Sequence, residues 1–319
     1  MTSTEHVVVG AGSIGAGVTR ILIERGERVR VITRSGSGPD HPLVEKVAAD
    51  AADADLVSRL TEGAGALYNC ANPPYHRWTT AWPPIAAALL TAAERTGAVL
   101  ATTSNLYGYG RVTGPMTEDL PMAPNSRKGQ VRARMWQDAL AAHQAGRARV
   151  TEARGSDYIG PRSQSQFAER VVPKLLAGKS AQVLGDPDVP HTWTYTGDMS
   201  RLLVTIAADE RAWGRAWHVP SHPAVGARQV VEDMCRLAGV PTVPVKMIPP
   251  ALITFGSLFM PLLRELPEVR YQHVNPFVMD SSAAQRTFSL APTDWDRMLI
   301  DAMSPFRPPV TTPAPGTTP

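Results

Sequence analysis

Apolar positions in the first half of the chain follow two alternating rhythms. Short β-rich runs occupy residues 6–9, 28–33, the region near Val47, 66–70, 99–102 and 148–153. Between them lie longer stretches whose apolar residues recur every three to four positions: 13–25, a stretch through Leu56 and Leu60, 85–96 and 126–145. The short runs predict strands and the longer ones amphipathic helices. Their alternation predicts the α/β class, a Rossmann doubly wound parallel sheet. Gly26 ends the first helix. Beyond Gly155 the rhythm loosens and prolines multiply. Helices are expected over 167–176, 198–208 and 229–238, with Gly239 ending the last. The expected organisation is a core over 1–160, completed by strands within 190–220, then a smaller substrate-binding portion over 161–306. Residues 307–319, dominated by Pro and Thr, are expected to be disordered. There are no internal repeats.

Composition narrows the field by exclusion. A chain of 319 residues with 43% hydrophobic and 19% charged residues can bury a full core. Its net charge is +3, and its 32 basic residues are spread along the chain instead of forming a stripe, so no nucleic-acid partner is expected. Cys70 and Cys235 form neither a ligand set nor a disulfide framework, and read as buried thiols in a reducing compartment. The N-terminus enters a strand without a basic leader, so the expected location is cytoplasmic. The apolar stretch 247–263 contains Pro249, Pro250 and Pro261 and falls short of the roughly 20 residues of a span. It reads as a buried helix or a pocket lid, with no membrane contact.

The chemistry begins at Gly10-Ala-Gly12-Ser13-Ile14-Gly15, between the first strand and the first helix. In that place Gly10 permits a tight turn, Gly12 lets the backbone approach a pyrophosphate, and Gly15 lets helix pack on strand. The helix N-terminus adds free N–H groups and a partial positive charge. A dinucleotide is the expected cofactor. A carboxylate at the end of the second strand would select a ribose 2′-hydroxyl, but this chain has Arg34 and Ser35 there. A guanidinium suits a 2′-phosphate, so NADP(H) is favoured over NAD(H). The alternative for Arg34 is a solvated loop arginine.

Further motifs resemble the extended short-chain dehydrogenase/reductase family of the NAD-dependent epimerase/dehydratase type, over roughly residues 6 to 240. Asp50 resembles its acid near the adenine, and Cys70-Ala71-Asn72 its cofactor-lining fourth-strand segment. Residues 101–108, from Ala101 to Gly108, resemble its Ser-Ser-x-x-Val-Tyr-Gly signature; Arg154 to Pro161 resembles its Arg…Tyr-Gly-Pro turn; Thr194 to Asp198 resembles its Val-x-Asp-Val stretch. Each motif is weak singly; their order and spacing together are specific. Two departures stand out. Val9 occupies the place where the family's glycine motif begins, and the Tyr-x-x-x-Lys pair is absent. Laid on that pattern, Lys128 takes the tyrosine's place and Arg132 the lysine's.

The resemblance implies that Thr103 holds a substrate oxygen and that Arg132 keeps a positive charge near the nicotinamide ribose. Lys128 would be the proton donor if its ammonium were made more acidic by Arg132, one turn away, and by an oxidised nicotinamide. An anionic substrate group is expected between the two cations; a solvated basic face at an inactive site is the alternative. Tyr75 and His76, in the loop after the fourth strand, either touch substrate, supply the missing acid or cover the cofactor. Tyr107 and Tyr158 read as wall residues. His218 and His222 have a metal-like spacing, but Pro220 and Pro223 forbid a helix there, so no metal is expected. The implied function is an NADP(H)-dependent oxidoreductase or epimerase-like enzyme acting on a small alcohol or carbonyl compound. The alternatives are a non-catalytic redox sensor and a nucleotide-sugar epimerase or dehydratase; a homodimer is left open.

Overall fold

The computed structural model describes residues 5–249, 251–252, 256 and 264–306. Six strands arise in the first half: β1 (Glu5–Val9), β2 (Arg28–Thr33), β3 (Val44–Ala48), β4 (Ala66–Asn69), β5 (Val99–Asn105) and β6 (Val150–Gly155). They form a parallel sheet with a seventh strand from later in the chain, β10 (Ala216–His218), in the order β10-β6-β5-β4-β1-β2-β3. The remaining strands are short pairs: β7 (Asp157–Ile159) with β9 (Trp193–Tyr195), and β8 (Ala181–Val183) with β11 (Val245–Met247).

Helices cover both faces of the large sheet, so β4 and β6 are buried throughout, while Arg28 of β2 and Glu45 of β3 remain exposed toward the sheet edge. On one face Val8, Val31, Tyr68 and Ala101 pack with Val18 and Leu22 of α1 (Ser13–Glu24). Met199 and Leu203 of α7 (Thr196–Ala208) join them. On the other face Val7, Ile32, Leu67 and Leu100 pack with Val57 of α2 (Ala54–Thr61) and Leu89 of α3 (Trp78–Thr96). Trp136 of α4 (Arg127–Gln144) completes that layer. The strand order reverses between β1 and β4, which opens a crevice at their carboxyl ends.

Two helices differ from the expected pattern. α3 starts at Trp78, two turns before residue 85, with Pro83 and Pro84 inside it. Those prolines remove the bonds that Thr79 and Thr80 carbonyls would receive, but both threonines are exposed, which lowers the cost of the lost bonds. Trp78 and Trp82, one turn apart and both buried, anchor the helix start more strongly than the prolines disfavour it. Residues 167–176 divide at Val171 into α5 (Gln166–Arg170) and α6 (Val172–Leu176), with Pro173 opening the second. α8 (Ala227–Ala238) ends on Gly239, whose φ of +69° favours a residue without Cβ. The expected lid over 247–263 falls largely outside the described residues, and the tail 307–319 entirely so. Among the described residues no helix is long and apolar enough to cross a membrane.

Candidate active site

The loop between β1 and α1 is shaped by close approach. Gly10 has φ +98°, and a Cβ there would lie 2.5 Å from the Cys70 carbonyl oxygen. A Cβ on Gly15 would come within 1.9 Å of the Gly10 carbonyl oxygen. Gly12 differs: a Cβ there meets no protein atom within 4 Å, because it faces open space. Gly12 is also the N-cap of α1 and has no side-chain cap. The first N–H groups of that helix are therefore left for another acceptor. Gly12, Ser13 and Ile14 line one end of a cavity of about 600 Å³. Ser13 Oγ donates to the Pro161 carbonyl at 2.6 Å and lies 3.1 Å from Thr196 Oγ1, tying the loop to the start of α7.

Arg34, just past β2, lines the same cavity and is exposed. No carboxylate pairs with it among the described residues. Asp40, the next acid along the chain, is committed to Lys46. Ala71 and Asn72 also line the cavity, and Asn72 Nδ2 donates to Gln164 Oε1 at 2.9 Å. Ser35 and Asp50 do not line it. Ser35 Oγ bonds Ser37 Oγ at 3.0 Å, and Asp50 Oδ1 accepts the Ala52 N–H at 3.0 Å. Both are surface-turn contacts, so the structure does not bring these two to the expected cofactor site.

The far end of the cavity reaches Thr103 on β5. Its Oγ1 lies 3.8 Å from Cys70 Sγ, and burial pushes the Cys70 thiol up to about 12. Arg132 donates from a terminal nitrogen to the Thr103 carbonyl at 3.3 Å. Its guanidinium lies 4.5 Å from the Trp78 ring and 4.3 Å from the Trp82 ring. Burial pulls the Arg132 pKa down to about 10, with Glu152 and nearby phenols acting the other way, so it stays cationic at neutral pH. The charge expected at this position is present, held by indoles and a strand carbonyl.

Lys128 is placed differently from its expected role. It is 1% exposed, does not line the cavity, and its ammonium sits 2.6 Å from Glu268 Oε1 with Glu265 as a second partner. The ammonium also lies 4.4 Å from the centroid of the Tyr75 ring, and Tyr75 does line the cavity. The anion expected between Lys128 and Arg132 is thus replaced by the chain's own carboxylates on Lys128 and by indoles on Arg132. Sequence reading missed Glu265 and Glu268 because they lie 137 and 140 residues away. No local pattern announces such a pairing.

Phenols line the cavity where a donor is wanted. Tyr75 donates to Tyr107 Oη at 3.4 Å, and burial raises both phenols above their ordinary range. Tyr158 is also raised by burial, and donates to the Ser104 carbonyl. His76 is exposed and does not line the cavity. His218 and His222 face different partners: His218 bonds Tyr109 Oη at 2.8 Å and the Asp280 carbonyl at 2.7 Å, while His222 bonds the Thr293 carbonyl at 2.7 Å. Beyond the phenols the cavity meets Asp157, His191 and His273, which sequence reading did not single out. Burial would raise the Asp157 carboxyl, but the His191 and His273 imidazoles outweigh it and hold it near 2. Burial pushes His273 down to about 4 against the pull of Asp157.

A parallel sheet, a glycine turn at its switch point and a cavity running from that turn to Thr103 define a Rossmann-type chain. The profile of the NAD dependent epimerase/dehydratase family matches residues 6–219, and the chain belongs to that family. It is 28% identical over 211 residues to a dTDP-glucose 4,6-dehydratase of Streptomyces griseus, covering 64% of this chain and 57% of the relative. A second dTDP-glucose 4,6-dehydratase, from an Actinoplanes species, is 31% identical over 138 residues, 42% of each chain. The match therefore spans about half the length of these curated relatives. Among solved structures, a UDP-glucose 4-epimerase of Thermotoga maritima with UDP-glucose superposes with TM-score 0.78 at 18% identity, covering 95% of this chain and 98% of that one. A UDP-glucuronic acid 4-epimerase from Bacillus cereus, in complex with UDP-glucuronic acid and NAD, gives 0.76 at 17% identity, covering 95% and 99%. At such identities the likeness shows the fold.

Proposed function

We propose that the chain is an NADP(H)-dependent oxidoreductase that reduces a small carbonyl compound. The observation that carries this reading is a single cavity, lined at one end by Gly12, Ser13, Ile14 and Arg34 and at the other by Thr103, Tyr75, Tyr107 and Arg132. The open space at Gly12 and the uncapped start of α1 fit a diphosphate, and the acid-free end of β2 fits a 2′-phosphate on Arg34. Bound there, the dinucleotide would supply hydride chemistry. Thr103 would hold the substrate oxygen, and Arg132 would keep a fixed positive charge behind the strand.

Tyr75 takes the donor role in place of Lys128. A phenol raised by burial keeps its proton at neutral pH and is available to protonate the alkoxide formed when hydride adds to the carbonyl carbon. A second reading, a dinucleotide-binding sensor without turnover, draws on the withdrawal of Lys128 into its ion pairs.

The test combines NADPH titration with a screen of carbonyl compounds, nucleotide-sugars included, following nicotinamide absorbance. Turnover is expected to fall by about 10² to 10⁴ in Tyr75→Phe with NADPH affinity unchanged. NADPH binding with no turnover on any compound would favour the sensor. Failure to bind either dinucleotide would overturn both readings.

A further inference from the structure

We propose that Asp157, His191 and His273 form a binding site for a divalent transition ion of the zinc type, with an open coordination position facing the cavity. The three residues come from separate segments: the start of β7, the bridge residue two positions before β9 and the helix Tyr271–Val274. One ligand atom from each lies within 4.8 Å of the others. All three line the cavity.

One pair already has metal-ligand spacing. His191 Nε2 lies 3.3 Å from Asp157 Oδ2. Two bonds of about 2.0–2.1 Å meeting at a tetrahedral angle hold their ligand atoms about 3.4 Å apart. The other imidazole nitrogen fixes which face is free. His191 Nδ1 lies 3.1 Å from the Gln272 carbonyl, which can only accept, so Nδ1 carries the proton. An N–H bonded to a backbone carbonyl is the outer contact that orients a ligating histidine. Nε2 then directs a lone pair at a carboxylate oxygen, and a cation between the two satisfies both. Ser156 Oγ also approaches Nε2, but at 3.4 Å this is a long contact.

His273 supplies the third arm. Its ring stacks on that of His191 at 5.6 Å with an 11° interplanar angle. Among the described residues its imidazole makes no hydrogen bond, while its carbonyl is held by the Asp186 N–H at 3.0 Å. The backbone is pinned, and the ring nitrogens are left for a partner other than the described residues. Two imidazoles and one carboxylate favour a borderline transition ion over magnesium or calcium, which prefer oxygen ligands. Three protein ligands leave a fourth position for an oxygen of whatever occupies the cavity, which the ion would polarise.

The test uses the full, tag-free chain after chelator treatment, titrated with Zn²⁺ by calorimetry and with Co²⁺ by visible absorption. The expected result is one ion per chain, with the visible bands of tetrahedral Co²⁺. His273→Ala and Asp157→Asn should each weaken uptake by about tenfold or more. His273→Gln, which retains a polar side chain of similar reach, provides a second variant if His273→Ala melts early. Absence of stoichiometric uptake by the parent chain overturns the proposal, as does uptake that these substitutions leave unchanged. Neither readout requires a dinucleotide or turnover, so the result stands apart from the reading of the cavity's other end.

Discussion

The two ends of the cavity are built by different means. At the glycine loop the backbone of one stretch of six residues sets the geometry, with Cys70, Pro161, Thr196 and Arg34 placed around it. At the Thr103 end, side chains from β5, the loop after β4, α4 and the segment around residues 265–268 meet through long-range contacts. A backbone turn leaves a local signature, since only a few residue types tolerate φ near +98° beside a carbonyl. A side-chain assembly leaves none until the chain has folded.

Substitutions in the loop should give the largest effects and separate fold from binding. Gly15→Val forces atoms into the Gly10 carbonyl, so it should lose both folded structure by circular dichroism and NADPH binding. Gly12→Ala places its methyl in open space. It should keep the parent melting temperature and lose about 100-fold in NADPH affinity by calorimetry, equal to about 2.7 kcal/mol. Unchanged affinity in folded Gly12→Ala would remove the diphosphate from this loop.

At the other end, Lys128→Met should act on stability instead of chemistry. Removing a buried ammonium strands Glu265 and Glu268, which are 28% and 22% exposed and so partly rescued by water. The expected loss is about 2–3 kcal/mol in urea unfolding, with the turnover of the folded fraction retained. A stable variant without turnover would return the proton-donor role to Lys128. The smallest effect belongs to Arg34→Ala, an exposed side chain. It should weaken NADPH about tenfold, near 1.4 kcal/mol, and leave NADH unchanged. Equal weakening of the two dinucleotides would mean that Arg34 does not read a 2′-phosphate.

The sheet was legible because its strands are short β-rich runs between amphipathic stretches: 66–70 is apolar but for Asn69, and 28–33 sets Val29 and Val31 beside Arg28 and Arg30. The early start of α3 was not, because the prolines carry a local penalty while the packing of Trp78 and Trp82 is tertiary. Thr103 and Arg132 were picked out by their register in the family pattern, and the structure joins them through the Thr103 carbonyl, a contact the pattern did not announce. Lys128 was placed by the same register, but its partners come from beyond residue 260. Register along a helix fixes which side chains share a face; it does not say what the rest of the chain presents to that face. Asp157, His191 and His273 illustrate this further, since 34 and 82 residues separate neighbouring members and no ligand spacing survives such gaps.

The pair of indoles around Arg132 has a consequence for how the cavity responds to its medium. Dissolved ions screen a charge only where they can gather about it, over a distance of about 8 Å at physiological ionic strength. Trp78 and Trp82 occupy the guanidinium's flanks and deny them that room. The field this arginine casts toward Thr103 is therefore much the same in dilute buffer and in brine, whereas the pull of Arg34 on an anion fades as salt is added.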